Sequence, residues 1–350
     1  MAKASIVYWY SEKNMRSDGG GQRIRAWQSA LETLGFHCEV YGLRTIGGGV
    51  SKGARLSAAK RALLPMPFTR GLPSDSAKAD VVIATVPAVF EDALRQVPHD
   101  RLILDWMDLW SVNARNLGEA KWHSQLGGRA QSRLWVQREA RLVERARSNV
   151  FAGYADFEQM IGASHGRAAW LPNPIAERTI VRKEGPIRTI GFIGNLDYPP
   201  NQISLRQFLN EYSQHLQKNE IELLVAGYGS ERVASWGFPI SVLGPVASVE
   251  TFYEQIDAAV VPIHHGGGIK VKSVEALSFG LTVFGTEHVR SGLSPDMRSM
   301  ILPLELLRNP LEPSLSHQFQ YREFQTQFSQ ERFNDSVSHE LRRIQKSDNH

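Results

Sequence analysis

Short runs of apolar, often β-branched residues recur along the chain, and longer segments with apolar residues at helical spacing separate several of them. The runs are continuous rather than alternating, which is typical of strands covered by helices on both faces. This pattern predicts parallel sheets in a protein of the α/β class. The predicted strands are 4–10, 37–43, 80–86, 101–106 and 148–153 in the first half, and 187–194, 220–227, 240–244, 257–263 and 281–285 in the second.

A loop-like segment with three prolines, residues 171–186, interrupts this alternation before it starts again. The break predicts two doubly wound, Rossmann-like domains, 1–175 and 176–320, followed by a helical tail, 321–350, that packs back on the body. Two such domains are expected to face a central cleft lined by the carboxyl ends of both parallel sheets. Ligands of open α/β sheets bind at those ends.

Composition indicates an ordinary globular protein, with 350 residues of which 42% are hydrophobic and 22% charged. No segment approaches the roughly 20 uncharged apolar residues of a membrane helix, and the N-terminus lacks a signal-peptide cleavage site. The predicted location is therefore the cytoplasm. Cys38 is the one cysteine, so it forms no internal disulfide, and we interpret it as a small buried hydrophobic residue.

Positive charge is unevenly distributed, although the net charge is only +4. Residues 51–71 carry five Lys and Arg and no acid, and residues 121–147 carry seven against two glutamates. Basic and apolar residues together suit an anionic surface, so 51–71 are a candidate for peripheral contact with the inner face of a membrane. A solvated helix face is the alternative. Nucleic acid is not expected as a partner, because no recognition motif accompanies the charge.

The stretch HHGGGIKVKSVEALSFG, residues 264–280, combines bare backbone, two lysines and one carboxylate. The pattern predicts a helix over 269–278 that stops at Gly280. Gly266–Gly268 would then let an anion approach the free N–H groups of the helix start. Lys270 and Lys272 oppose the helix dipole in the first turn unless an anion binds there.

Glu275 follows Gly268 by seven residues, about 10 Å along a helix at about 1.5 Å per residue. This is roughly the span from a nucleotide's terminal phosphate to its ribose hydroxyls, so a nucleotide could lie along the helix. A simpler alternative fits the same residues: the glycines form a surface loop, Lys272 and Glu275 pair with each other, and nothing binds.

The segment 262–286 resembles the donor site of GT4-type (group 1) retaining glycosyltransferases of the GT-B fold. In these proteins a glycine-rich turn, a basic pair and a Glu-Ala dipeptide precede a strand that ends in small residues. Other segments resemble the same family in the same order, namely 191–202, 223–230 and 242–263 in the second half and, less specifically, 18–27, 102–110 and 170–175 in the first.

The resemblance implies a GT-B protein that moves a sugar from a UDP- or GDP-sugar to an acceptor hydroxyl with retention of configuration. The implied acceptor is a glycan, a lipid-linked molecule or a small molecule. No cofactor is required beyond the donor substrate. The resemblance does not indicate an oligomeric state. Glu275 would bind the ribose of the donor. Gly266–Gly268, Lys270 and Lys272 would bind its diphosphate, and Gly244–Val246 would contact its base. The implied donor ligands are Gly19, Gly20, Gly21, Arg23, Gly191, Gly194, Asn195, Val246, His265, Gly266, Gly267, Gly268, Lys270, Lys272 and Glu275, and the implied catalytic residues are Asp105, Asp108, Lys270 and Glu275.

The chain departs from the family pattern in two places. Many relatives have an acidic residue eight positions before the glutamate, where this chain has Gly267, and many have an Arg and a Lys where it has Asn195 and Asn201. The second departure leaves more of the phosphate neutralisation to Lys270, Lys272 and Arg23. An inactive GT-B protein that binds glycans or partners is therefore an alternative function.

Gly19–Gly21 follow the first predicted strand and offer a second helix start, with Arg23 just inside the helix. They do not form the dinucleotide fingerprint, because the third glycine would fall on Ile24. A nicotinamide-dependent oxidoreductase, with Glu39 on the ribose, is accordingly the weaker alternative.

Asp105 and Asp108 leave the end of a buried strand and are expected to orient sugar hydroxyls, although Asp108 alone fits a helix N-cap. Adjacent His264 and His265 cannot both face one metal from a regular element, and no ligand spacing supports zinc. No metal site is predicted.

Overall fold

The computed structural model describes residues 1–8, 19–42, 71–119, 125–176, 178, 186–309, 311 and 321–345. These residues form two six-stranded sheets in which the strand pairings are parallel, and this confirms the predicted α/β class with two Rossmann-like sheets. The chain divides into two compact units. The first comprises 1–174, 266–269 and 328–350, and the second comprises 175–265 and 270–327.

The first unit is built on a sheet with the strand order β2-β1-β3-β4-β5-β6. Its strands are β1 (Lys3–Tyr8), β2 (His37–Gly42), β3 (Val81–Thr85), β4 (Leu102–Trp106), β5 (Asn149–Phe151) and β6 (Ala168–Trp170). Its helices in the described ranges are α1 (Gly19–Thr33), α2 (Ser74–Ala77), α3 (Pro87–Gln96), α4 (Trp110–Glu119), α5 (Gln125–Arg145), α6 (Tyr154–Ser164) and, after the second unit, the last helix Gln330–Gln345.

Two apolar clusters fill the first unit, and both include residues of the sheet. In one of them, Leu104 and Trp106 of β4 pack with Phe90 of α3 and Leu142 of α5. In the other, strand residues such as Ile83 pack with Trp27 of α1. Burial of the strand residues in both clusters explains why their sequences are continuously apolar.

The last helix of the chain packs on α1. Phe333, Val337, Leu341 and Ile344 belong to the same apolar cluster as Trp27, and the Phe333 ring meets the Trp27 ring edge-on at 5.5 Å. The four residues recur at intervals of three and four, so they lie on one face of the helix. This amphipathic spacing places the helix in the core of the first unit rather than in solvent.

The second unit is built on a sheet with the strand order β12-β11-β10-β7-β8-β9. Its strands are β7 (Thr189–Ile193), β8 (Glu222–Ala226), β9 (Ser241–Gly244), β10 (Ala258–Val261), β11 (Thr282–Gly285) and β12 (Ile301–Pro303). Its helices, continuing the numbering, are α7 (Pro199–Lys218), α8 (Val249–Tyr253), α9 (Val271–Ser278), α10 (Glu287–Arg290) and α11 (Tyr321–Phe328), so the last helix of the chain is α12.

All ten predicted strands are present within a few residues of their expected positions, and two further strands were not predicted. The unpredicted strands, β6 and β12, pair with β5 and β11 at the edges of their sheets. Each has only three residues. A run of three residues is too short to show a periodicity, so tertiary pairing rather than local pattern defines these strands.

Candidate functional site

The strand order of the second sheet places its topological switch point between β7 and β10. Counted within this unit, the order is 6-5-4-1-2-3, the doubly wound arrangement in which ligands bind outside the carboxyl ends of the strands beside that point. The chain leaves β7 at Gly194 and Asn195, and after β10 it continues toward α9. The side chains of α9 that were predicted to bind the donor are Lys272 and Glu275.

The Lys272 ammonium lies beside the carboxyl end of β7. Its Nζ donates a hydrogen bond to Oδ1 of Asn201 at 3.2 Å and lies 4.7 Å from the ring centroid of Phe192. Burial, assisted by the charge of Lys270, lowers the pKa of Lys272 to about 8. Within the described residues no carboxylate lies within ion-pair distance of this ammonium. The site therefore holds a partly desolvated cation whose protein partners are an amide oxygen and an aromatic face.

Asn201 and Asn195, which replace basic residues of the family pattern, are hydrogen-bonded to each other. Asn201 Nδ2 donates to the main-chain oxygen of Asn195 at 2.8 Å, and the Asn195 side chain accepts the N–H of Asp197 at 2.8 Å. The first bond fixes which end of the Asn201 amide points at Lys272. The lysine of α9 thus brings its charge next to a position where many relatives have a lysine of their own.

Gly191 in β7 and Gly194 directly after it have different surroundings. A Cβ on Gly194 would lie 2.8 Å from Lys272 Nζ, so the bare backbone leaves room for the ammonium. A Cβ on Gly191 would lie 2.6 Å from the ring of Phe252 and 2.8 Å from Ile256. Gly191 therefore permits close packing beneath the sheet, whereas Gly194 is at the predicted site.

Glu275 is held in a half-buried position on the same helix. The hydroxyl of Tyr253 donates to its Oε2 at 3.2 Å. Burial raises the pKa of the Glu275 carboxyl, while the Tyr253 hydrogen bond and the charges of Arg178 and Lys272 oppose the rise. Arg178 pairs with Glu250 and stacks over the Phe279 ring at 4.7 Å. In the described residues no protein donor bonds Oε1 of Glu275.

The helix that carries these two residues begins later than the sequence predicts. α9 spans Val271–Ser278, with Lys270 in an extended conformation at its N-cap and Gly280 in a left-handed conformation after its end. Gly266 and Gly268 have φ values of 100° and 68°, which a right-handed helix cannot accommodate. The predicted start at 269 was wrong by two residues, and the glycines form a turn before the helix.

The glycine turn, Gly266–Ile269, packs within the first unit, and two of its N–H groups are used there. Gly267 donates to Asn113 Oδ1 at 3.1 Å, and Gly268 donates to Asp156 Oδ2 at 2.7 Å. Asn113 in turn donates to Asp108 at 2.6 Å. The two N–H groups that were predicted to meet phosphate therefore bond protein oxygens in this structure, and one of those oxygens is anionic.

The same turn explains why three glycines occur together. A Cβ on Gly268 would lie 2.4 Å from the main-chain oxygen of Met107, and one on Gly267 would lie 2.8 Å from the Asp108 side chain. No side chain fits at these separations, so backbone contact with the end of β4 requires glycine.

Arg23 was predicted to bind the donor and Asp105 to orient sugar hydroxyls, but the structure buries the two side chains against each other. Arg23 is 1% exposed and Asp105 is not exposed at all. Arg23 Nε and Nη2 both donate to Asp105, at 2.8 and 2.5 Å, and Trp27 Nε1 donates to the same carboxylate at 2.9 Å. Arg23 Nη1 also reaches Asn173 and the main-chain oxygen of Leu171 at 2.8 Å. The cluster joins α1, β4 and the segment after β6, which is a structural role.

The glycines at the start of α1 lie beside this cluster. The main-chain oxygen of Gly19 accepts a hydrogen bond from Asn173 at 3.3 Å, Gly20 is half-buried, and Gly21 is buried. Asp108, by contrast, is half-buried, and its carboxylate accepts a hydrogen bond from the Asn113 amide. Of the two predicted aspartates, Asp108 is the more accessible.

The remaining predicted positions occupy loops of the second unit or lie elsewhere. Val246 is half-buried after β9, whose last residue, Gly244, accepts the N–H of Gly227 at 2.9 Å. His264 is exposed and His265 is half-buried. Among the described residues no cluster of three metal-ligating side chains occurs.

The described residues include only part of the basic segments that were considered for membrane contact. The basic segment 51–71 lies outside them except for Gly71. On α5, which covers most of the second basic run, Arg129, Arg133 and Arg141 are exposed. None of the helices in the described ranges combines the length and apolar composition of a membrane span.

Several residues that shape the site were not predicted. Tyr253 and Arg178 support Glu275, Asn113 and Asp156 hold the glycine turn, and Trp27 completes the Asp105 cluster. When a buried aromatic or amide side chain contacts a residue far away in the sequence, no local pattern in the sequence predicts that contact.

Comparison with known proteins agrees with this architecture. Residues 187–298 match the model of the family described as Glycosyl transferases group 1. A search of curated protein sequences finds no significant match.

Solved structures with the same fold include sucrose-phosphate synthase from Thermosynechococcus elongatus, with a TM-score of 0.67 and 13% identity over 98% of this chain and 99% of that one. HepE from Anabaena, solved with UDP and glucose, has a TM-score of 0.59 and 13% identity over 98% and 100%. TarM has a TM-score of 0.53 and 14% identity over 75% of this chain, which spans only 54% of TarM.

The family match contains β7 to β11 and the helix that bears Lys272 and Glu275. HepE and sucrose-phosphate synthase match over 98% of the chain, so the likeness in fold extends to both units. In residues 187–298 the chain is therefore similar to the group 1 glycosyltransferases, and its fold is the GT-B fold of the solved structures that it matches.

Proposed function

We propose that this protein is a retaining glycosyltransferase that moves a sugar from a nucleoside diphosphate sugar to an acceptor hydroxyl. The observation that carries the proposal is the pair of opposite charges on α9. Lys272 has no carboxylate partner within the described residues, and Glu275, one turn later, keeps one oxygen without a protein donor. A ligand with an anionic end and a hydroxyl-bearing end would satisfy both.

A nucleoside diphosphate has an anionic end and a hydroxyl-bearing end. Lys272 and Glu275 are about 4.5 Å apart along the axis at about 1.5 Å per residue, and both side chains extend further. The ammonium and the N–H groups at the start of α9 would stabilise the charge that develops on the departing diphosphate. The carboxylate would accept hydrogen bonds from the ribose, as the family resemblance implies for Glu275. Lys270, at the N-cap, is a second cation for the same phosphates.

The finer assignments rest on relatives. HepE was solved with UDP and glucose, so uridine nucleotides are the first donors to test, with guanosine nucleotides second. Retention is taken from the family resemblance, as are the acceptor classes: a glycan, a lipid-linked molecule or a small molecule. We expect the reaction to need no cofactor other than its donor substrate.

The acceptor side depends on fewer residues than the sequence predicts. Arg23 and Asp105 are not part of the proposed site, because each uses its hydrogen-bonding groups on the other and on buried neighbours. Asp108 remains the candidate carboxylate for orienting an acceptor hydroxyl.

The test is a binding measurement that isolates the ribose contact. UDP, GDP and ADP are titrated calorimetrically, and the tightest binder is compared with its 2′-deoxy and 3′-deoxy forms. Loss of a hydroxyl bonded to a carboxylate should weaken binding about 10- to 100-fold, since hydrogen bonds to charged groups contribute about 1.5–3 kcal/mol. Glu275→Ala should lose the same factor and no longer distinguish ribose from deoxyribose.

Glu254→Ala is the matched control, because Glu254 is an exposed glutamate of the same unit that follows α8. Sugar transfer is then followed by release of nucleoside diphosphate and by the mass of the product. Stabilisation by NAD alone would overturn the transferase assignment. Nucleotide binding without transfer to any acceptor would support the inactive glycan-binding alternative.

A further inference from the structure

Tyr253 approaches the first turn of α9 from the end of α8. Its hydroxyl lies 3.2 Å from Oε2 of Glu275 and 3.4 Å from the main-chain oxygen of Lys272. The side chain is almost wholly buried, at 2% exposure, and its ring packs against Phe279 with centroids 4.7 Å apart. One buried hydroxyl therefore contacts both predicted donor ligands of the helix, one through its side chain and the other through its backbone.

The hydroxyl can act only as a donor toward Glu275. Burial, with the neighbouring charge of Glu275, raises the pKa of Tyr253 well above its usual value, so the phenol keeps its proton. An ionised carboxylate offers only acceptors. The proton therefore lies between Tyr253 and Oε2 whenever Glu275 is ionised.

We infer that Tyr253 is a positioning residue for nucleotide binding, because its hydroxyl fixes one oxygen of Glu275 and leaves the other directed at a ribose. The inference rests on the proposed function, in which Glu275 binds the ribose. It adds a residue that contacts no substrate and that acts through the orientation of the carboxylate.

A glutamate needs such a partner at this place. Its side chain has three rotatable bonds, and immobilising a residue of this kind costs on the order of 1–2 kcal/mol of conformational entropy. If the carboxylate is already fixed, a ribose does not have to supply that ordering when it binds. The Arg178 guanidinium, which stacks on Phe279, places a positive charge near the same carboxylate.

A purely structural role makes different predictions from a positioning role. If only the ring matters, Tyr253→Phe keeps the packing against Phe279 and leaves nucleotide binding unchanged. If the hydroxyl orients Glu275, the same substitution should weaken binding of the tightest nucleoside diphosphate about three- to tenfold, the range expected for one neutral hydrogen-bond donor. Because ribose contacts form equally in ground and transition states, KM for the donor should rise while kcat stays within about twofold.

A second readout needs no nucleotide. The Tyr253 hydrogen bond opposes the rise that burial causes in the pKa of Glu275, so Tyr253→Phe should raise that pKa further. The carboxyl resonance of Glu275 in ¹³C-labelled free protein, followed from pH 4 to 8, reports this shift. In binding titrations the loss of affinity on acidification should begin at a higher pH in the variant.

Tyr212→Phe is the matched control, since Tyr212 is also buried in the second unit but stacks on Phe208 of α7, away from α9. It should change neither Kd nor the pKa of Glu275. In a Glu275→Ala background, Tyr253→Phe should have no further effect on Kd.

An unchanged Glu275 pKa together with unchanged Kd in Tyr253→Phe would overturn the positioning role. Failure of the wild-type protein to bind any nucleoside diphosphate would instead count against the proposed function. The NMR titration separates the two results, because it tests the hydrogen bond whether or not a nucleotide binds.

Discussion

The two units of this protein hold their charged side chains in opposite ways. In the first, Arg23 and Asp105 are buried together, and Trp27 and Asn173 take up further hydrogen-bonding capacity of the pair. In the second, Lys272 and Glu275 lie one helical turn apart on α9, and each has a neutral hydrogen-bonding partner but no ion pair with another described residue. Both pairs combine a cation and a carboxylate, yet among the described residues the charges are paired in the first and not in the second.

This contrast separates structural charges from ligand-binding ones. A buried ion pair with additional hydrogen bonds has no need of a ligand, and separating it exposes two desolvated charges. A neutral amide does not neutralise the charge of a half-buried lysine, so the ammonium can still bind an anion. From the sequence, all four residues were predicted to belong to the ligand-binding site. Their hydrogen-bonding partners in the structure instead separate the buried ion pair of the first unit from the two ligand-binding candidates of the second.

The largest effect is expected at Asp105. Asp105→Ala leaves Arg23 buried without its counter-charge, which should lower the free energy of unfolding by about 3–5 kcal/mol. Urea unfolding followed by tryptophan fluorescence measures the change, since Trp27 loses the same partner.

The comparison requires that Glu275→Ala behave differently. Its carboxylate is only half-buried and has one side-chain donor, Tyr253, among the described residues, so its removal should lower stability by no more than about 1 kcal/mol. Equal destabilisation by the two substitutions would remove the distinction between the units.

Glu139 is an intermediate case, a fully buried carboxyl on α5 that accepts the main-chain N–H of Ser111 at 3.1 Å. Burial raises the pKa of Glu139 from 4.5 to about 7, and Asp156 adds to the rise. The folded state thus retains a proton that the unfolded chain releases, so the stability from this proton is full below pH 4.5 and is lost as pH rises to about 7.

Glu139→Gln should therefore gain stability over the wild type on going from pH 5 to pH 8, by up to about 3 kcal/mol at about 1.4 kcal/mol per pKa unit. Urea midpoints of both proteins at the two pH values give the difference. Asp105→Asn is the useful comparison, because a carboxylate with a buried cation beside it should lose stability on neutralisation rather than gain it. A pH-independent difference for Glu139→Gln would show that Glu139 stays ionised in the folded protein.

The fold was largely predictable, because burial of strands on both faces leaves a direct trace in the sequence. DVVIATV and DAAVVPI are continuously apolar, and each forms a central strand of its sheet. The edge strands β6 and β12 leave no such trace, because a three-residue strand is defined by its partner. The start of α9 was misplaced for a local reason: Gly268 adopts a left-handed conformation that ends any helix running back from Ile269.

The site was less predictable, since a motif identifies residues but not their partners. Lys272 and Glu275 do lie on one helix at the carboxyl edge of the second sheet, as the motif and its strand context indicate. Arg23 and Asp105 are separated by 82 residues, so their pairing was not visible in either motif. The N–H groups of Gly267 and Gly268 were taken as free because Asn113 and Asp156 are equally remote in sequence.

The sharpest test for the second unit concerns the pH dependence of Lys272. Its pKa of about 8 means that the free site loses its cation as pH rises through 8, whereas a bound diphosphate would keep the proton in place. Affinity for a nucleoside diphosphate should therefore fall about tenfold between pH 7 and pH 9, or about 1.4 kcal/mol. Calorimetry in two buffers of different ionisation enthalpy should also detect proton uptake on binding at pH 8.5.

Lys272→Met keeps much of the side-chain length but has no titrating group, so its weaker binding should be nearly independent of pH over this range. Lys270→Met is the matched control, because it removes the neighbouring cation and leaves the titration of Lys272. Without Lys270 the pKa of Lys272 should rise, since the Lys270 charge contributes to its lowering, and the loss of affinity should move to higher pH. If Lys270→Met instead abolishes the pH dependence, Lys270 is the titrating ligand, and the half-buried lysine beside Asn201 has a structural role like that of Arg23.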